Sequence, residues 1–184
     1  MAGRLRVGCV RTGFRHADPR QGFLWETADQ PAARWHATGE GPAHYLADTP
    51  DGAWAEFLRH EHITDPDDLE GVARSLWAIV VDDADVEDAT ALTLPADLSF
   101  AGYGDCQAAA RSARAAGATA VRAPSAALQP GHAGGYVCDG GLQPAPPTDG
   151  EVWVLFGPRN DIRGWRCVQA GSPSADLLTA VRHL

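Results

Sequence analysis

A helix that runs straight into a strand is the feature that most constrains how this chain can fold. From Asp105 to Gly117 the sequence has a capping candidate in Asp105, an alanine-rich body, Arg111 and Arg114 late, and a glycine where a helix would end. Ala118-Thr119-Ala120-Val121-Arg122 follows at once as a strand that stops at Pro124, since proline cannot donate to a ladder and restricts the residue before it. Ser125 is left on the loop just past the strand's end, where layered folds commonly carry functional groups. A helix joined to a strand this tightly must pack in layers, so the chain reads as α/β or α+β, in one domain.

The remaining elements are shorter. Arg4 to Phe14 reads as a first strand, broken by Asp18-Pro19-Arg20-Gln21-Gly22. Thr49-Pro50-Asp51 has the order of an N-cap, a first helical position and an acidic first turn, which predicts a helix from Pro50 to about His60. On it Trp54, Phe57 and Leu58 share one apolar face, and Glu56 lies off that stripe, facing a cleft or water. Asp65 to Leu69 opens a second short helix, and Ser75 to Val81 is a strand closed by the acidic turn Asp82-Asp83-Ala84-Asp85. Residues 129 to 150, rich in Gly and Pro, read as a long loop; Val152 to Phe156 and Gly164 to Gln169 read as a pair of strands, and Ser174 to His183 as a closing helix.

Composition removes several functions. All 15 basic residues are arginine, so Schiff-base, Walker-type and kinase-type lysine chemistries are excluded. A net charge of −9 disfavours direct nucleic-acid binding, which draws its affinity from a basic surface. No apolar run reaches the roughly 18 residues of a membrane span, and Met1 to Arg6 lacks a signal-like stretch, so the expected location is the cytoplasm. Cys9, Cys106, Cys138 and Cys167 form no C-x-x-C pair and are expected as reduced, mostly buried thiols. His60-Glu61-His62 has the wrong spacing for helical chelation, which needs i and i+4, so no metal is expected. His36 and His44 read most plainly as surface or hydrogen-bonded histidines. There is no Gly-x-Ser-x-Gly elbow and no Gly-x-Gly-x-x-Gly phosphate turn.

A series of short blocks, each setting a polar residue among apolar ones, carries more weight: Phe14-Arg15, Ala33-Arg34-Trp35-His36, His44-Tyr45-Leu46-Ala47, Ala53-Trp54-Ala55-Glu56 and Ala123-Pro124-Ser125-Ala126. Singly, an arginine in a solvated salt bridge or a serine capping a helix would explain each. In order, and followed by Val152-Trp153-Val154-Leu155-Phe156, the blocks resemble the RES domain family, whose pattern is R-W-N, Y-L-A, A-x-E and P-S-A before an apolar strand. The resemblance covers about residues 14 to 156. Two departures stand out: Ala32-Ala33 replaces a glycine pair, and His36 replaces the asparagine.

The resemblance implies a single α+β domain similar to ADP-ribosyltransferases, with a mixed β-sheet core and flanking helices. It implies a toxin of a toxin–antitoxin pair that destroys NAD+ by hydrolysis or phosphorolysis, with NAD+ as substrate, inorganic phosphate as a candidate co-substrate and no resident cofactor. Glu56 would stabilise the oxocarbenium ion that forms as the nicotinamide–ribose bond breaks. Arg34, and after it Arg15, would hold the phosphates, arginine being the only permanent cation present. Tyr45 would stack on the nicotinamide or bind its ribose, unless it is simply a core tyrosine, and Ser125 would bind ribose or phosphate rather than attack. An antitoxin with a helix-turn-helix domain is the expected partner, and a homodimer the expected assembly. Exposed tryptophans would mark either face, although Trp77 and Trp153 sit in runs that read first as core. The rivals are an ADP-ribosyltransferase acting on a macromolecule and a non-catalytic interaction domain.

Overall fold

The computed structural model describes residues 9–183. Strand β1 (Val10–Ala17) runs further than the sequence suggests, and the Arg4 to Gly8 part of that expectation lies outside the described residues. Next come β2 (Ala43–Ala47) and α1 (Pro50–His60), where the Thr49 hydroxyl accepts from the Gly52 N–H at 3.1 Å as an N-cap should. The Asp65 start yields only a 3-10 turn, Pro66–Leu69. Strand β3 (Arg74–Asp82) is longer than read, and the acidic turn after it is a short helix, α2 (Asp83–Glu87), capped by Asp82. Then follow β4 (Thr90–Ala91), α3 (Tyr103–Ala115) and β5 (Ala120–Pro124).

Helix α3 starts two residues before Asp105, with no side-chain cap. A 3-10 turn, Phe100–Gly102, feeds directly into it. Gly102 makes that junction possible, because a Cβ there would lie 2.1 Å from the Asp97 carbonyl oxygen. The stretch read as a long loop contains a hairpin, β6 (Tyr136–Cys138) with β7 (Leu142–Pro144), turning through Gly140 and Gly141. Strands β8 (Glu151–Phe156) and β9 (Arg163–Gly171) do not pair with each other: β8 lies near the sheet's centre and β9 at its edge. The closing helix is a 3-10 segment, Ala175–Ala180.

The main sheet has the order β4-β5-β8-β2-β1-β3-β9, antiparallel throughout except for the parallel β4–β5 pair, so it is mixed. Strand β8 is buried on both faces, with Val152, Val154 and Phe156 in one cluster and Trp153 and Leu155 in another. On the first face α1 sends Trp54, Phe57 and Leu58 against Leu76, Leu128, Leu178 and Val181. Beside it α3 sets Cys106, Ala110 and Ala113 on Val121, Ala123 and Val154. On the other face Val86 of α2 meets Ile79, Val81 and Leu155. Of the cysteines only Cys106 is buried; Cys9, Cys138 and Cys167 are exposed, which corrects the expectation of mostly buried thiols. Trp153 is core as read, Trp77 is half-buried, and Trp165 on β9 is 52% exposed. Among the described residues no helix is long and apolar enough to cross a membrane.

One irregularity positions the site. Strands β1 and β2 share a single register pair, Phe14↔Ala47, whereas β1 pairs with β3 from Val10 to Ala17. Gly13 permits the approach, since a Cβ there would sit 2.9 Å from the Leu46 Cβ. Beyond Phe14 the two strands part, and a cavity opens between Arg15 and His16 on one side and Tyr45 and Leu46 on the other.

Candidate active site

This cavity, of about 220 Å³, is bounded by α1, the first turn of α3 and the loop between β1 and β2. Arg15, Arg34, Tyr45 and Glu56 all line it, so four of the five residues singled out in the sequence converge. Glu56 reaches it from α1 for the reason its spacing suggests: Trp54, Phe57 and Leu58 turn into the core, leaving Glu56 on the neighbouring face.

Arg34 is held by a tight turn. Ala33 and His36 exchange two backbone hydrogen bonds, at 3.0 and 3.3 Å, so Arg34 and Trp35 form the tip. Gln107 of α3 clamps that turn by donating to the Ala33 and His36 carbonyls at 2.9 and 3.2 Å. The Tyr45 hydroxyl holds it from the sheet, accepting from the Trp35 N–H at 3.0 Å and meeting His36 Nδ1 at 2.8 Å. His36, the departure from the family pattern, is therefore a buried member of this network, and His44 is likewise buried, with Nε2 3.0 Å from the Gly157 carbonyl. Burial holds the Tyr45 phenol far above its ordinary titration range, so it stays protonated.

The electrostatics set two arginines beside a shielded carboxylate. Arg34 is 7% exposed, lies with its guanidinium carbon 4.6 Å from the Tyr103 ring centre, and donates Nη2 to the Leu98 carbonyl at 2.8 Å. Its buried Nη1, like that of Arg15, has no hydrogen-bond partner among the described residues. Burial lowers the Arg15 pKa to about 10, which leaves it charged at neutral pH. Burial raises the Glu56 pKa, opposed chiefly by the Arg34 charge and then by a hydrogen bond from Ser125. A buried donor without a partner is costly unless some group satisfies it.

Ser125 does not line the cavity. It is 2% exposed; its hydroxyl donates to Glu56 Oε1 at 3.2 Å and accepts from the Ala127 and Leu128 N–H groups at 3.2 and 2.9 Å. Sequence reasoning missed Arg59 and Tyr103. Arg59, one turn beyond Glu56 on α1, is 5% exposed and donates to the carbonyls of Ala126 (2.9 Å), Arg182 (2.7 Å) and Leu98 (2.5 Å). Its i+3 spacing from Glu56 was a usable signal. Tyr103 had none, since nothing local ties it to Arg34. Among the described residues no three His, Cys, Asp or Glu side chains gather as metal ligands would.

The arrangement can hold an anionic group on two guanidinium edges while a carboxylate stabilises positive charge developing beside it. No curated protein matches the chain. Among solved structures it is similar to a chain of the M. tuberculosis MbcT–MbcA toxin–antitoxin complex, at 17% identity and a TM-score of 0.52, covering 88% of this chain and 86% of that one. That likeness is one of fold: a single domain with a mixed sheet and flanking helices. The family model described as RES domain matches residues 5–143, well over half of the sequence and the stretch that supplies Arg15, Arg34, Tyr45, Glu56 and Ser125, and on that match the chain belongs to the RES domain family.

Proposed function

We propose that this protein cleaves the nicotinamide–ribose bond of NAD+, passing the ADP-ribosyl group to water or inorganic phosphate, and that it is the toxin of a toxin–antitoxin pair. The observation that carries the reading is one cavity lined by a shielded carboxylate, Glu56, and by two guanidinium side chains, the buried Arg34 and the half-buried Arg15.

In this reading the pyrophosphate lies on Arg34 and Arg15, and the Tyr45 ring supports the nicotinamide end. As the glycosidic bond breaks, its electron pair leaves with nicotinamide, which departs neutral, and the ribose carbon becomes an oxocarbenium ion. The Glu56 carboxylate stabilises that ion and orients a ribose hydroxyl or the attacking group. Water attack gives ADP-ribose and releases one proton; phosphate attack gives ADP-ribose-1″-phosphate. Ser125 acts from behind as a positioning residue, keeping Glu56 aimed and ionised, rather than as the substrate contact the family resemblance implies.

The toxin assignment rests on family membership and on the fold neighbour, which comes from a toxin–antitoxin complex. The partner would be a helix-turn-helix antitoxin that blocks the cavity and makes the DNA contacts, because this chain carries a net charge of −9. The test is incubation of purified protein with NAD+, with and without inorganic phosphate, and mass analysis of the products. ADP-ribose identifies a glycohydrolase, phosphate-dependent ADP-ribose-1″-phosphate a phosphorylase, and label on a macromolecule a transferase. NAD+ that stays intact under all conditions sinks the reading.

A further inference from the structure

A cavity of about 220 Å³ is smaller than the roughly 300–1,000 Å³ that encloses a drug-sized ligand. A dinucleotide seats only its reacting end inside, and the rest must lie at the mouth. His60, exposed at the end of α1, lines the cavity there, together with Tyr103 from the first turn of α3. One ring further out stands Phe100, 50% exposed. Its centroid lies 5.2 Å from Tyr103 and 6.4 Å from His62, both in edge-to-face geometry, so the two neighbours brace the ring while half of the side chain stays open.

The backbone beneath Phe100 is tied down on every side. Arg34 and Arg59 both donate to the Leu98 carbonyl; Asp97 Oδ1 accepts from the Ser99 N–H at 2.8 Å, and Ser99 Oγ from the Ala101 N–H at 3.2 Å. Gly102 abuts the Asp97 carbonyl behind it. An exposed aromatic on an anchored backbone loses little conformational freedom when it binds, and a flat base is the partner whose π-face such a ring accepts. The same loop that carries it grips Arg34, so the phosphate contact and the aromatic are held at one spacing.

We infer that Phe100, braced by Tyr103 and His62, is the stacking platform for the purine base of the dinucleotide substrate. This rests on the NAD+ reading above and adds to it a subsite outside the cavity. The platform acts on binding and not on bond breaking, so its loss appears in KM and spares kcat.

The test compares NAD+ with nicotinamide mononucleotide, which has the reacting end but no purine, in wild type, Phe100→Ala and Phe100→Trp. Phe100→Ala is expected to raise KM for NAD+ about tenfold with kcat unchanged, and Phe100→Trp to restore it, as befits loss and return of one stacked base. Turnover of the mononucleotide should not change in either variant. An unchanged KM for NAD+ in Phe100→Ala, or an equal loss for both substrates, overturns the platform. Calorimetric titration with ADP-ribose separates this from the cleavage reading. Affinity that falls in Phe100→Ala supports the platform even if NAD+ survives intact, and wild type that binds no ADP-ribose overturns it.

Discussion

The Ser125 hydroxyl gives its one proton to Glu56 Oε1 at 3.2 Å while its lone pairs take the N–H groups of Ala127 and Leu128. Every hydrogen-bonding capacity of the serine is thereby used on the protein, and the carboxylate is held by a loop that is itself held by Arg59 and Arg182.

Removing this donor should weaken catalysis without touching substrate affinity. Ser125→Ala is expected to lower kcat about tenfold and to destabilise the fold by about 1–3 kcal/mol, the usual cost of a lost hydrogen bond to a charged group. The Ser125 bond favours the ionised form of Glu56, so the acid limb of the pH–rate profile should move upward in the variant. An unmoved limb would mean the serine does not act through Glu56.

Glu56→Gln should separate activity from stability. Cleavage of NAD+ should fall by about 10²-fold or more, a typical loss for one electrostatic group in an active site. Burial raises the Glu56 pKa in the folded protein, so its contribution to stability is complete below about pH 4.3, the ordinary value, and is lost as pH rises through the raised pKa. Glu56→Gln should therefore melt higher than wild type at pH 7, with the difference closing towards pH 4. Thermal denaturation at the two pH values decides it.

The two cavity arginines should show the same trade in another form. Arg15 is a half-buried cation whose buried Nη1 has no partner among the described residues, so Arg15→Met should melt no lower than wild type while raising KM for NAD+ about tenfold or more. Arg34→Lys should not rescue Arg34 function, because an ammonium cannot stack on Tyr103, reach the Leu98 carbonyl and present a second edge together. Steady-state kinetics on both variants check this.

Arg59 joins three distant segments through the Leu98, Ala126 and Arg182 carbonyls. Arg59→Met leaves these acceptors unpaired and should cost about 3 kcal/mol of stability, measurable by denaturant titration. Proteolysis should then cut first in the loop around Leu98 or near Arg182.

His16 offers a stability readout at low pH. Its ring is half-buried, edge-on to Phe57 at 5.2 Å, with Arg74 Nη2 3.3 Å from Nδ1. Burial, reinforced by the Arg74 charge, lowers its pKa to about 3. The unfolded chain then binds a proton the folded one refuses, so stability present above about pH 6.5 is lost as pH falls towards 3. His16→Gln should flatten that decline in melting temperature.

Much was settled by the amino-acid sequence alone, wherever the physics is short-ranged. Thr49-Pro50-Asp51 capped α1 as written, the Trp54–Phe57–Leu58 stripe turned Glu56 towards the cleft, and Pro124 ended β5 just before Ser125. These outcomes depend on side chains within a turn of one another, and periodicity and capping report them directly. What only the tertiary structure decided depends on contacts between residues far apart in the chain. That β1 leaves β2 after Phe14↔Ala47, and so opens a cavity, follows from its full pairing with β3 instead. That β8 lies near the centre of the sheet and β9 at its edge, that α3 begins at Tyr103, and that Arg59 reaches residue 182 are likewise set by packing. Ser125 was legible as a candidate residue on the loop past β5, but its direction was not: whether a buried hydroxyl faces a ligand or a carboxylate is fixed by which acceptor the fold brings within 3.2 Å.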